Sequence, residues 1–285
     1  MEFNSSRLGI RGKTVAWLQG GLGNQLFQWN AALHASEQTQ SELLLSGASY
    51  ARDKLRNFVA SSIVPSAQLT NRFQDLVIGT PFAKSGRMRK TAGLQRLPIA
   101  ASLDSAIAEP SLLVGFFQDA ECLQLPTSDI VKMLRNRRES MQTTPLADRV
   151  TGRPVIHVRR GDYVIAPAAI KHFGSIRPEY YFEAFDRLGL DFRDAIAFTD
   201  DPAYVTETFG VKRENVIGPS DTPTDLDGLL AMSLADSLVI PNSTFSWWAA
   251  EIAGSERPVI VPENWFVDER RGYTLARDAW RRVPN

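Results

Sequence analysis

The sequence predicts an α/β protein of the doubly wound class, divided into two domains. Three observations lead there: eight short apolar runs of strand length, helical periodicity after most of them, and glycine- or hydroxyl-rich turns directly behind strands. Strands that alternate with helices bury both faces of a parallel sheet, so they read as short continuous apolar runs. In order, Thr14 to Leu18 is the first run, and it leads through Gly20-Gly21-Leu22-Gly23-Asn24 into a helix. Leu43 to Leu45 and Leu112 to Phe117 follow in the first half. The stretch from Thr143 to Pro154 is rich in turn residues and precedes the strongest run, Val155 to Val158. That places a domain boundary near 150, giving domains 1–150 and 151–285. Ala195 to Thr199, Asn215 to Ile217, Ser237 to Ile240 and Val259 to Val261 complete the series. Two such domains leave a cleft between them where ligands of this class bind.

Composition narrows the function classes. The chain has 285 residues, 44% of them hydrophobic, and 32 basic residues cancel 32 acidic ones, which argues against a general nucleic-acid binder. Residues 1–150 carry 17 basic and 12 acidic groups, leaving 15 and 20 for the remainder. The densest basic patch, Lys84, Arg87, Arg89, Lys90 and Arg96, suits a solvated loop, an anionic substrate or a membrane surface. A lone cysteine, Cys122, excludes a disulfide framework and a cysteine-based zinc site, and a total of three histidines argues against a three-histidine metal site. The N-terminus lacks an apolar core of signal-peptide length, and no eighteen apolar residues run together, so the expectation is a cytoplasmic protein. Without a secretory signal the acceptor pattern at Asn242-Ser243-Thr244 is idle for glycosylation.

Four constellations carry chemistry. The segment Gly21-Leu22-Gly23-Asn24-Gln25 opens a helix after a strand but lacks the third glycine of a dinucleotide fingerprint. Asn24 and Gln25 there either hydrogen-bond a sugar or phosphate or simply cap the helix. In the run from Val155 to Tyr163, strand alternation puts His157 and Arg159 on one face and Arg160 on the other. Arg159 is the better candidate for a diphosphate, since a planar guanidinium binds phosphate oxygens in pairs. Arg160 is the better candidate for a structural ion pair with Asp162. Asp225 and Asp227 resemble a metal-holding acidic pair, yet Thr224 with Asp227 also forms a capping box for the helix behind. Asp225 or Asp236 can accept from a guanine amino group. Finally, Asn242-Ser243-Thr244-Phe245-Ser246 begins a helix after the strand Ser237 to Ile240, where free N–H groups and the positive dipole end suit phosphate. Trp247 and Trp248 read as packing between helix and sheet.

The segments Gly20 to Gln28, Gly115-Phe116-Phe117-Gln118, His157 to Tyr163, Phe198-Thr199-Asp200-Asp201 and Asn242 to Trp248 together resemble the alpha-1,2-fucosyltransferases of glycosyltransferase family 11. In that order they span nearly the whole chain. The resemblance implies the GT-B architecture, two Rossmann-like domains facing across a cleft, with acceptor contacts largely from 1–150 and GDP-fucose bound by 151–285. It implies no metal and no cofactor beyond GDP-fucose as donor substrate. It assigns Arg159 to the diphosphate with His157 beside it, and the helix start from Asn242 to Ser246 to the phosphates. The Gly21 to Gln25 turn would border the reacting sugar or the acceptor, with Asn24 counted among the catalytic candidates alongside Arg159 and His157. Asp225 or Asp236 would read guanine, and Asp200 with Asp201 would touch the nucleotide or cap the next helix. The expected partners are GDP-fucose and a galactose-ended, lipid-linked oligosaccharide or surface glycan, with peripheral membrane contact at the cytoplasmic face. Transfer from GDP-beta-L-fucose to an alpha linkage inverts the anomeric carbon through an oxocarbenium-like transition state. No carboxylate in the motifs declares itself as a base. A related transferase of different donor or linkage, and a non-catalytic sugar-nucleotide-binding protein, are the alternatives.

Overall fold

Each of the eight apolar runs contains a strand. The computed structural model describes residues 9–51, 53, 56–79, 98–141, 143–161, 174, 176–267 and 275–285. The chain divides into two units, Met1–Pro126 and Thr127–Asn285.

In the first unit, β1 (Thr14–Trp17), β2 (Leu43–Ser46), β3 (Ile99–Ala100) and β4 (Leu112–Leu113) form a parallel sheet in the order β2-β1-β4-β3. The register pairs Val15 with both Leu44 and Leu112, so the central strand is apolar on either side. Val15, Leu44 and Leu112 pack with Ile10 and Ile78 into one core. Around the sheet lie α1 (Leu22–Gln38), α2 (Arg72–Gly79), α3 (Leu103–Ala108) and α4 (Ala120–Leu123). Helix α1 is buried along most of its length, with Leu26, Ala31, Ala32 and Ala35 wholly enclosed, as expected for a helix carrying few charges.

The second unit holds β5 (Pro154–Val158), β6 (Ile196–Thr199), β7 (Val216–Ile217), β8 (Ser237–Val239), β9 (Val259–Pro262) and β10 (Arg281–Val283). They make a parallel sheet in the order β10-β9-β8-β5-β6-β7. Read from the β7 edge, this is the 3-2-1-4-5-6 order of the dinucleotide-binding folds, and strand order reverses at β5 and β8. Among the described residues the helices include α5 (Ser128–Met141), α6 (Pro145–Val150), α7 (Pro178–Leu188), α8 (Pro202–Phe209), α9 (Asp225–Met232) and α10 (Thr244–Ala253). Their starts follow local capping chemistry: Thr144, Asp201 and Thr224 accept from the backbone N–H three residues on, at Ala147, Tyr204 and Asp227. Proline at the first position of α6, α7 and α8 fits the same rule.

The divide falls at Pro126, earlier than the turn-rich stretch near 150. Helices α5 and α6 belong with the second sheet. Arg135 Nε donates to the Ile252 carbonyl at 2.8 Å and Arg138 Nη1 to that of Ser233 at 3.1 Å. Among the described residues, no helix is long and apolar enough to cross a membrane.

Candidate functional site

The carboxyl ends of β5, β6 and β8 deliver three of the motifs to one edge of the second sheet. Strand β5 lies between β8 and β6, so the residues after it border the point where strand order reverses. Open parallel sheets bind ligands there, because helices on opposite faces leave a crevice between adjacent strand ends.

Arg159 is the first residue beyond β5. Its Nη1 lies 3.0 Å from Oδ2 of Asp200, which follows β6. The register pairing Val158 with Thr199 sets these two residues side by side although they are 41 apart in sequence. The arginine side chain is 38% exposed and the carboxylate 16%. Asp200 also accepts the Arg160 backbone N–H at 2.8 Å, so one carboxylate orients both the guanidinium and the turn that carries it. Gly161 closes this turn against Asp200; a Cβ there would come within 2.6 Å of Oδ2, a contact only glycine avoids.

Arg160 points elsewhere, as strand alternation predicts. Its Nε donates to Asp201 Oδ2 at 3.1 Å and its guanidinium carbon lies 3.6 Å from the centre of the Tyr204 ring. Asp201 in turn caps α8 by accepting from Tyr204 N–H at 3.1 Å. Arg160 is thus the structural arginine, with Asp201 and Tyr204 as its partners; Asp162, the partner expected from sequence, lies outside the described residues.

His157 is buried at 7% exposure beneath the edge, its ring 6.1 Å from that of Phe245. Its Nδ1 has no hydrogen-bond partner. Burial, with the Arg159 charge adding to it, pushes its pKa down to about 3, so the imidazole is neutral at physiological pH. Beside it, α10 starts at Thr244 with Ser243 as N-cap, and the Ser243 side chain makes no capping hydrogen bond. Asn242 is buried, and its Nδ2 donates to the Trp265 carbonyl at 3.0 Å, fixing the loop that presents the helix start. Ser246 is fully buried and donates to the Ser243 carbonyl, which places it within the turn instead of at the surface. Trp247 and Trp248 are wholly buried, edge to face at 5.3 Å, in the packing role expected of them.

The two acidic candidates for guanine separate. Asp225 is exposed in the first turn of α9, in the connection that leaves the carboxyl end of β7. Asp236 precedes β8 and pairs with Arg257 at 2.5 Å, while its N–H bonds the Arg153 carbonyl just ahead of β5. It therefore sits at the amino edge, the length of β5 (roughly 20 Å) from Arg159. Asp236 is corrected to a structural residue. Asp227 exchanges hydrogen bonds with Thr224 at 2.7 and 3.1 Å, the capping pair. Among the described residues no group of three or more His, Cys, Asp or Glu side chains is placed to hold a metal ion.

In the first unit, the Gly20–Gly23 turn follows β1 and α1 begins behind Gly21. Gly20 has φ +83°, a left-handed conformation that favours glycine, and the half-buried Asn24 side chain folds over it. Asn24 Oδ1 accepts from Gln118 Nε2 at 2.9 Å, joining the glycine turn to the segment after β4. Gln25 does not face a ligand. It is fully buried, donating to the Gly20 and Asn57 carbonyls and accepting from Ala60 N–H, so its expected sugar contact is corrected to a structural role. Leu22 and Gly23 are buried in the helix start, leaving Gly21 and Asn24 as the accessible members of that motif.

The sequence model of glycosyl transferase family 11 matches residues 108–282. The chain belongs to glycosyl transferase family 11. This family 11 chain is 26% identical to an O-antigen biosynthesis glycosyltransferase, WbnK, of Escherichia coli over 92% of its length and 98% of the relative's. It is 27% identical to an alpha-1,2-colitosyltransferase of Escherichia coli, covering 94% and 98% of the two chains. Among solved structures, it is similar to a mutant of Arabidopsis thaliana FUT1 in complex with GDP, at 15% identity and TM-score 0.48, covering 91% and 72%. It is also similar to the fucosyltransferase NodZ from Bradyrhizobium, at 15% identity and TM-score 0.46, covering 84% and 92%.

Asp200 is the residue whose role sequence left open between nucleotide and cap. The signal for it lay in the register of two neighbouring strands, which no local pattern reports.

Proposed function

We propose that this family 11 glycosyltransferase moves L-fucose from GDP-beta-L-fucose to the 2-hydroxyl of a galactose-terminated glycan, inverting the anomeric carbon and using no metal ion. The acceptor is a surface-polysaccharide or lipid-linked oligosaccharide precursor met at the cytoplasmic face of a membrane; the O-antigen relative supports the surface-polysaccharide part of that reading. The observation that carries the donor half is Arg159: a partly exposed guanidinium at the strand-order reversal, held by one carboxylate, on the same edge as the start of α10.

In the reaction the acceptor oxygen forms a bond to C1 of the sugar while the bond from C1 to the phosphate oxygen breaks. The electron pair leaves with GDP. Arg159 exchanges part of its pairing with Asp200 for the diphosphate, and the first turn of α10 adds its dipole, so both act on charge that grows as the bond breaks. Neutral His157 places a buried ring nitrogen under the same edge without adding a second positive charge. Asp225 is the remaining carboxylate for the guanine amino group, and Asn24 with Gly21 contributes to the acceptor side. The acceptor hydroxyl loses its proton late, to solvent or to a loop carboxylate outside these motifs.

A donor and acceptor screen tests this. Wild type transfers fucose to a galactoside equally well with and without EDTA, and Arg159→Ala lowers kcat by about 10²–10³, the cost of one lost charge-stabilising donor. Near-normal transfer by the variant, or loss of activity on chelation, overturns the reading. The colitosyltransferase relative favours a second reading with colitose as the transferred sugar, and nucleotide-activated colitose in the same screen decides between the two.

A further inference from the structure

Strand order in the first sheet, β2-β1-β4-β3, reverses between β1 and β4. The loops after those two strands therefore border the crevice where a sheet of this kind takes a ligand. The glycine turn with Asn24 follows β1, and Gly115-Phe116-Phe117-Gln118 follows β4.

Phe117 has φ +52°, the left-handed region that a bulky side chain rarely enters. Its ring is buried, while Phe116 beside it is 48% exposed. The turn ends with Gln118 reaching back to Asn24 at 2.9 Å. Backbone strain persists where the surroundings impose it, and such positions cluster at ligand sites. Here the strained residue has one visible consequence: it sends one aromatic ring into the core and holds the other out, next to a tethered pair of amides.

We propose that Phe116 is a stacking platform for the terminal galactose of the acceptor, with the Asn24 and Gln118 amides at its polar rim. This rests on the fucosyltransfer reading for the choice of sugar. The axial 4-hydroxyl of galactose leaves C3–H, C4–H and C5–H together on one face of the ring, an apolar patch that matches an aromatic side chain in size. The hydroxyls around its edge need donors and acceptors, which side-chain amides supply. An exposed aromatic fixed by the backbone loses little freedom when a sugar covers it.

The test is a saturation-transfer NMR titration of lactose against wild type, Phe116→Ala and Phe116→Trp, with GDP affinity and Tm measured on the same samples. Phe116→Ala weakens lactose binding at least tenfold, Phe116→Trp retains it, and GDP affinity and the cooperative thermal transition are kept, because the ring is half exposed and lies outside the core. Lactose binding by Phe116→Ala within twofold of wild type overturns the inference, as does a wild type that binds GDP and no lactose. Loss of self-association in Phe116→Ala with lactose binding intact also overturns it, assigning the ring to a protein contact. Failure of wild type to bind GDP while lactose binding still depends on Phe116 refutes the fucosyltransfer reading and leaves the platform standing.

Discussion

His157 shows how burial sets chemistry at a single position. Desolvation first, and the neighbouring Arg159 charge second, lower its pKa from the ordinary 6.5 to about 3. The folded state thus binds the proton more weakly than the unfolded chain does. Its stabilising contribution is complete above pH 6.5 and is lost as pH falls toward 3. At pH 5 the loss amounts to roughly 2 kcal/mol, from 1.5 pH units at 1.36 kcal/mol each. Urea unfolding at pH 7 and pH 5 measures it, and His157→Gln should remove that part of the difference; an identical pH dependence in the variant would refute the assignment. The pairing of His157 with Arg159 on one face was legible in sequence because alternation is a property of a single strand. The ion pair with Asp200 was not, since it depends on which strand lies beside β5. Gln25 misled for the opposite reason: a polar side chain at a helix start looks like a ligand contact until its backbone partners, Asn57 and Ala60, come from a distant loop.

At the scale of elements, α10 is built to present one end and secure the other. Its N-cap, Ser243, makes no side-chain capping bond, whereas its last carbonyls receive arginines from α5: Arg135 Nε donates to Ile252 at 2.8 Å, and Arg138 Nη1 to the same carbonyl at 3.3 Å. Cations at the carboxyl end satisfy orphan carbonyls and complement the dipole that the amino end offers to an anion. Glu251, near that end, is held by Arg277 through two bonds of 2.9 Å, and Arg277 in turn lies 4.9 Å over the Trp247 ring. Arg135→Ala should cost about 1.5–3 kcal/mol, the worth of a charged donor on a carbonyl. A lower urea midpoint with an unchanged m value confirms this, and an unmoved midpoint refutes it. The helix was legible from its polar start and from Gly254 at its end, but its arginine caps come from more than a hundred residues away. The edge strands β3 and β10 were illegible too: one has two residues, and the other begins Arg281-Arg282, so neither makes an apolar run.

For the whole molecule, fold class was legible because each strand and helix announces itself locally, whereas the boundary was not. Turn residues between Thr143 and Pro154 bracket the short helix α6, but membership of a unit is decided by packing. Leu134 in α5 and Ala147 and Val150 in α6 are completely buried, and Arg149 Nη2 of α6 donates to the carbonyls of Glu214 and Val216 at 2.8 and 3.2 Å. Thr127 Oγ1 bonds Glu251 at 2.8 Å, so the attachment begins at the first residue of the unit. A fragment starting at Thr151 loses these contacts and exposes the apolar surface of the second sheet that the two helices cover. Each fully buried aliphatic side chain contributes about 1.5–3 kcal/mol, and a domain is stable by only about 5–15 kcal/mol, so losing several of them removes most of that margin. The fragment 127–285 should accordingly show dispersed NMR amide signals and a cooperative thermal transition, while 151–285 should show neither. Equal stability of the two fragments would mean that α5 and α6 are connectors, and the divide would then move back toward 150.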